Sequence, residues 1–131
     1  MKNLFAYGTL MCPDILQAVT SKIFKSEKAV LNNFARHLVK QEIYPGLIKN
    51  KNEKVEGIVY FNIPDDVWEK LDFFEGEMYF KQNVDIKIFD GTIINAVTYV
   101  TKSKFANQLE NYDWEYNSFI QNHKNSFLKN L

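Results

Sequence analysis

The chain has one cysteine, three prolines and five glycines among 131 residues, and no excess of charge of either sign. Cys12 alone cannot form an intrachain disulfide, and a lone thiol fits a reducing compartment. With so little Pro and Gly there is no flexible linker, and no repeat or low-complexity tract divides the sequence. A single domain over residues 1–131 is therefore expected. Sixteen Lys and Arg balance sixteen Asp and Glu. Such a chain lacks the cationic field that a nucleic acid backbone attracts. No apolar segment approaches the length of a membrane span. The apolar run after Met1 is too short for the hydrophobic core of a signal peptide, and no small-residue cleavage site follows it. The expectation is a soluble, cytoplasmic protein that binds neither nucleic acid nor membrane.

What is abundant is apolar and aromatic. Hydrophobic residues make up 46% of the chain and aromatic residues 15%, with eleven Phe and seven Tyr. That suffices for one buried core and argues against disorder. Asn3 to Tyr7 is a short apolar run ended by Gly8, which reads as a buried strand entering a loop. Pro13 to Thr20 carries Ile15, Leu16 and Val19 at helical spacing, with Pro13 suited to a first turn. Strand signals follow at Ala29–Leu31, Phe34–Val39, Leu47–Ile48 and Val55–Phe61, separated by Asn-, Gly- and Lys-rich breaks. After Pro64, Asp65 and Asp66 mark a helix start, Val67, Trp68, Leu71 and Phe74 share one face, and Gly76 is placed to end the helix. Tyr79 to Phe89 and Thr92 to Thr101 read as strands joined by a hairpin at Asp90–Gly91. Tyr112, Tyr116, Phe119, Ile120, His123 and Phe127 predict an amphipathic helix from about Asn111 to Leu128, docked on the sheet. Short strands joined by hairpins, with few helices, give an α+β domain around a mainly antiparallel sheet. The pattern alone leaves open whether that sheet closes.

Two places could carry chemistry. The first is Tyr7–Gly8–Thr9–Leu10, where Gly8 allows a sharp turn whose successive amides could hold a carboxylate. A plain strand-ending turn is the competing reading. The second is Glu75, between Phe73–Phe74 and Met78–Tyr79–Phe80. A partly desolvated carboxyl there would have a raised pKa suited to proton transfer. The competing reading is an exposed glutamate at a turn, and its neighbours Asp72 and Glu77 read as solvated. His37, beside Arg36, is placed on a strand surface, and His123 on the helix face against the sheet. Neither has metal-ligand spacing, so no metal site is expected. Cys12 has no base beside it and reads as a buried or idle thiol. No Walker loop, dinucleotide fingerprint or nucleophile elbow is present, and no cofactor is expected.

Taken in order, five short pieces resemble the gamma-glutamylcyclotransferase-like family. They are Tyr7–Gly8–Thr9–Leu10, Tyr44–Pro45–Gly46–Leu47, Val55–Glu56–Gly57–Ile58–Val59–Tyr60, Leu71–Asp72–Phe73–Phe74–Glu75–Gly76 with Tyr79 shortly after, and Ala96–Val97–Thr98–Tyr99–Val100. The resemblance runs from residue 4 to about residue 100 and more loosely into the last helix. It implies a small barrel with a cavity at one end. In that cavity the amides of Tyr7 to Leu10 would hold the α-carboxylate of a gamma-glutamyl substrate. Glu75 would be the acid/base residue, Tyr79 would line the cavity, and Tyr116 would supply a second lining tyrosine. Two places depart from the family pattern. Met11–Cys12–Pro13 stands where members often carry a basic or polar stretch, and Lys81 where Arg is common. The implied reaction closes a gamma-glutamyl amine or amino acid onto itself, giving 5-oxoproline and a free amine. The alternative function is a non-enzymatic module that binds a small carboxylate or a partner's tail in the same cavity.

Overall fold

A computed structural model describes all residues from Met1 to Leu131. Five strands close into a barrel: β1 Lys2–Ala6, β2 Ser26–Leu38, β3 Pro45–Ile63, β4 Tyr79–Ile88 and β5 Ile93–Thr101. Their order around the barrel is β1-β3-β2-β4-β5. Every neighbouring pair is antiparallel except β1 and β5, which close the ring in parallel at Leu4 and Val97. Four helices complete the chain: α1 Pro13–Thr20, α2 Asp65–Glu75, α3 Tyr116–Asn122 and α4 Lys124–Lys129.

The period of two along each strand divides the core. Phe5 and Tyr7 point into the barrel with Leu31, Val59, Ala96 and Val100. Leu4 and Ala6 point outward, under the helices, with Leu16, Tyr60, Leu71, Val97 and Tyr99. β1 is thus covered on both faces, which is why its sequence is apolar without alternation.

The four short strand signals between residues 29 and 61 belong to two long strands, not four short ones. The Asn- and Lys-rich breaks lie inside those strands, where the β2–β3 register shifts between Asn32 and Phe34. Asn33 and Asn52 take single left-handed conformations there, with φ of 68° and 71°. Asn tolerates this region more readily than most residues, so each strand bends without leaving the sheet.

The expected single helix from Asn111 to Leu128 is also corrected. Before α3 the chain runs extended beside the end of β2. The Lys40 amide donates to the Gln108 carbonyl at 2.8 Å, and the Glu110 amide to the Leu38 carbonyl at 2.8 Å. The helix then breaks at His123, whose φ and ψ are −131° and −23°. In a straight helix Phe119 and Phe127 would lie about 12 Å apart along the axis. The break brings their rings edge to face with centroids 5.6 Å apart. His123 itself is exposed and does not face the sheet.

Candidate active site

A cavity of about 400 Å³ opens at one end of the barrel, in the size range of a small-molecule site. Three segments build it: the turn after β1, the start of β3, and the turn joining α2 to β4. Tyr7, Gly8, Thr9 and Leu10 form one wall, Tyr44 and Pro45 another, and Phe74, Glu75, Glu77, Met78 and Tyr79 a third. Phe127 of α4 reaches the same space.

The first wall is a single 3-10 turn. The Met11 amide donates to the Gly8 carbonyl at 2.9 Å and the Cys12 amide to the Thr9 carbonyl at 3.1 Å. Those bonds use the amides that end the turn and leave those of Gly8, Thr9 and Leu10 outside its own hydrogen bonding. Gly8 is required by proximity: a Cβ on it would lie 2.9 Å from Cγ and Cδ of Pro45. Tyr7 pins the turn from below, its hydroxyl donating to the Tyr99 carbonyl at 2.7 Å. The Tyr60 hydroxyl donates to the Leu10 carbonyl at 2.7 Å from the helix side. Across the cavity the Tyr79 hydroxyl donates to the Pro45 carbonyl at 2.7 Å, tying β4 to the start of β3.

Glu75 is the last residue of α2. Gly76 follows with φ of 79° and donates its amide to the Asp72 carbonyl at 3.0 Å, so the helix stops and the carboxyl faces the cavity. The residue is half-buried overall, and no hydrogen bond or ion pair to another side chain compensates its carboxyl. Loss of water raises its pKa to about 8, with the negative charge of Asp72 adding to the effect. The hydroxyls of Tyr7, Tyr79 and Tyr99 are pushed up by burial, with the charge of Glu75 contributing, and remain donors at neutral pH.

Phe73 contributes no shelter to Glu75, being 90% exposed; Phe74 is the phenylalanine that lines the cavity. Asp72 is far from idle. Its Oδ1 accepts from the Tyr99 hydroxyl at 2.6 Å, and its Oδ2 from Lys81 Nζ at 3.0 Å. Lys81 also lies 5.6 Å from the centre of the Trp68 ring. Glu77 belongs to the turn before β4 and sits exposed at the cavity rim.

Over residues 4–117 the chain matches the family described as gamma-glutamyl cyclotransferase, AIG2-like. The chain belongs to that family. It is 34% identical to AIG2-like protein D of Arabidopsis thaliana over 131 residues, which covers 98% of this chain and 86% of the relative. Among solved structures, an Arabidopsis thaliana protein determined in solution superposes with a TM-score of 0.77 at 22% identity. That likeness covers 98% of this chain and 78% of the other. A protein named gamma-glutamyl cyclotransferase superposes with a TM-score of 0.70 at 17% identity, covering 83% of this chain and 68% of the other. At those identities the two superpositions establish a shared fold.

Of the residues that the family resemblance singled out, Tyr7, Gly8, Thr9, Leu10, Glu75 and Tyr79 all line the one cavity. Tyr116 does not. Its hydroxyl lies 3.7 Å from Cys12 Sγ on the far side of the turn, and its ring packs against Trp114 with centroids 5.9 Å apart. Phe127 of α4, beyond the break at His123, is the side chain of the last two helices that reaches the cavity. Periodicity could not show this, since an unbroken helix fits the same apolar spacing. Cys12 is buried, which raises its pKa and keeps the thiol protonated. No group of three or more His, Cys, Asp or Glu is placed to hold a metal ion. No helix is long and apolar enough to cross a membrane.

Arg36, which the sequence reading named only as the neighbour of His37, holds the turn from outside the cavity. Its side chain is only 14% exposed and donates to the Tyr7 carbonyl at 2.9 Å. Nothing in the alternation of β2 marks it, because its partners lie far away along the chain.

Proposed function

We propose that this protein is a cyclotransferase that converts a gamma-glutamyl amine or gamma-glutamyl amino acid into 5-oxoproline and a free amine. The observation that carries this reading is that Glu75 and the turn Tyr7–Gly8–Thr9–Leu10 line one cavity. The three amides of Gly8, Thr9 and Leu10 hold the substrate's α-carboxylate, and Glu75 stands across from them as the proton carrier.

The substrate brings both reacting groups. Its α-ammonium passes a proton to the Glu75 carboxylate, and the freed amine attacks the γ-carbonyl carbon, forming the ring C–N bond. The tetrahedral intermediate collapses with cleavage of the original amide C–N bond. Glu75 returns that proton to the departing nitrogen, then carries the ring nitrogen's second proton to the same amine, which leaves as an ammonium while the carboxylate is restored. No electrons are exchanged and no third reactant is consumed. An intramolecular attack in a fixed geometry reaches effective molarities on the order of 10⁵ M or more. Proton transfer by a positioned carboxyl contributes about 10²–10⁴-fold.

A pKa of about 8 suits both halves of the task. A carboxyl of ordinary acidity would hold the proton too weakly to protonate a leaving amine. Tyr79, with its hydroxyl committed to the Pro45 carbonyl, offers its ring as a wall. The family's name, and that of the gamma-glutamyl cyclotransferase sharing its fold, support the reaction class.

The test is release of 5-oxoproline from a panel of gamma-glutamyl amines and amino acids. Turnover of at least one member is expected. Binding of 5-oxoproline without turnover of any amide would favour a binding module in the same cavity.

A further inference from the structure

The direction of the Gly8 amide is set from outside the cavity. A trans peptide unit is planar, so the Tyr7 carbonyl and the Gly8 N–H point opposite ways from one rigid plane. Arg36 Nη1 donates to that carbonyl at 2.9 Å and to the Glu56 carbonyl at 3.3 Å. The other face of the guanidinium is clamped by Asp113, with Nε to Oδ1 at 2.8 Å and Nη2 to Oδ2 at 3.1 Å. Such a fork-to-fork pair fixes orientation as well as charge. Arg36 Cζ also lies 5.3 Å from the centre of the Trp114 ring, and the Trp114 indole N–H is held by the Ile43 carbonyl at 2.8 Å. The cation is thus fixed against three separate segments, and it does not line the cavity.

The charged side chains that do line the cavity are carboxyls, Glu75 and Glu77, with no Lys or Arg among them. An anionic substrate group there must be held by backbone donors. A cation on the oxygen side of a peptide draws electron density toward that oxygen and makes the N–H on the other side a better donor.

We propose that Arg36 is a positioning residue for the substrate's α-carboxylate: by gripping the Tyr7 carbonyl it turns the adjoining Gly8 N–H into the cavity and polarises it for an anion. This rests on the reading that the Gly8 turn receives that carboxylate. Arg36 touches no substrate atom, and its effect passes through one peptide unit. Asp113 and Trp114 hold Arg36 in turn, which links the extended segment before α3 to substrate binding.

The experiment compares binding of 5-oxoproline with that of 5-oxoprolinamide, which lacks the negative charge, by calorimetry on the wild type, Arg36→Gln, Arg36→Lys and Asp113→Asn. The wild type should prefer the acid. Arg36→Gln should lose tenfold or more in affinity for the acid while its affinity for the amide stays within twofold. Arg36→Lys, which keeps the charge but not the fork, should fall between, and Asp113→Asn should show a smaller loss of the same kind. If Arg36→Gln does not fold, the Lys and Asn variants carry the same comparison. Equal losses for acid and amide would mean a general structural role and overturn the proposal. So would an unchanged preference for the acid. A wild type that binds neither compound overturns the reading of the turn itself, and the proposal with it.

Discussion

The Tyr99 hydroxyl donates to Oδ1 of Asp72 at 2.6 Å, one helical turn before Glu75 on α2. Together with Lys81, which holds Oδ2 at 3.0 Å, it keeps a negative charge close behind the carboxyl that faces the cavity. Glu75, half-buried with its carboxyl at the cavity, is therefore raised first by loss of water and then by a charge that two partners fix in place.

A pH profile follows from this arrangement. If the reaction needs the Glu75 carboxylate in the free enzyme, kcat/KM should rise with pH, reach half its plateau near pH 8 and level off above it. Asp72→Asn removes the neighbouring charge and should move that rise to lower pH. A rise at the ordinary carboxylate pH in the wild type, or an unmoved rise in Asp72→Asn, would contradict the placement of Glu75.

The same shift makes stability depend on pH. The folded pKa of Glu75 lies above its value in the unfolded chain, so the folded state holds the proton more tightly. That contribution is complete below the ordinary carboxylate range and is lost as pH rises through about 8. Glu75→Gln cannot lose it. The variant's stability relative to the wild type should therefore increase between pH 5 and pH 9, by on the order of 2 kcal/mol once solvent access to a half-buried group is discounted. Denaturant unfolding of both proteins at the two pH values measures this. Parallel curves would mean a solvated carboxyl.

Gly8→Ala places a methyl group against Pro45, where the nearest ring carbons lie 2.9 Å away. Relief of that overlap moves the turn, at a cost of about 1–3 kcal/mol in stability. The larger effect should be a loss of tenfold or more in affinity for 5-oxoproline, because the displaced amides no longer converge. Calorimetry on the folded variant separates the two.

Phe119 and Phe127 pack together yet should respond differently. Phe119 is fully buried between Trp114 and Phe127, so Phe119→Ala should cost about 3–5 kcal/mol in unfolding experiments. Phe127 is half-buried, packs on Phe74 with ring centroids 6.1 Å apart, and borders the cavity. Phe127→Ala should cost less stability and instead change KM for substrates with bulky amine groups.

Much of this was legible in the chain. The apolar run of β1, the Pro13 start of α1, the Gly76 stop of α2 and the Asp90–Gly91 hairpin each follow from local chemistry, and the structure has them. Closure of the barrel was not legible from pattern, because the β1–β5 contact joins strands that are remote in sequence. Local chemistry marked the Gly8 turn and Glu75 as separate candidates, and only the ordered resemblance joined them in one cavity, since neither a turn glycine nor a helix-end glutamate is distinctive alone. Arg36, Asp113 and Phe127 stayed hidden because each owes its place to long-range contacts. Tyr116 was expected in the cavity from the loose end of the family resemblance, and its contacts with Cys12 and Trp114 hold it on the other side of the turn instead.

The most direct test is 5-oxoproline release by the wild type and by Glu75→Gln, both shown to be folded, across the gamma-glutamyl panel. Turnover by the wild type, lost by at least a hundredfold in the variant while 5-oxoproline binding persists, is the expected result. Full activity in Glu75→Gln would contradict the central claim.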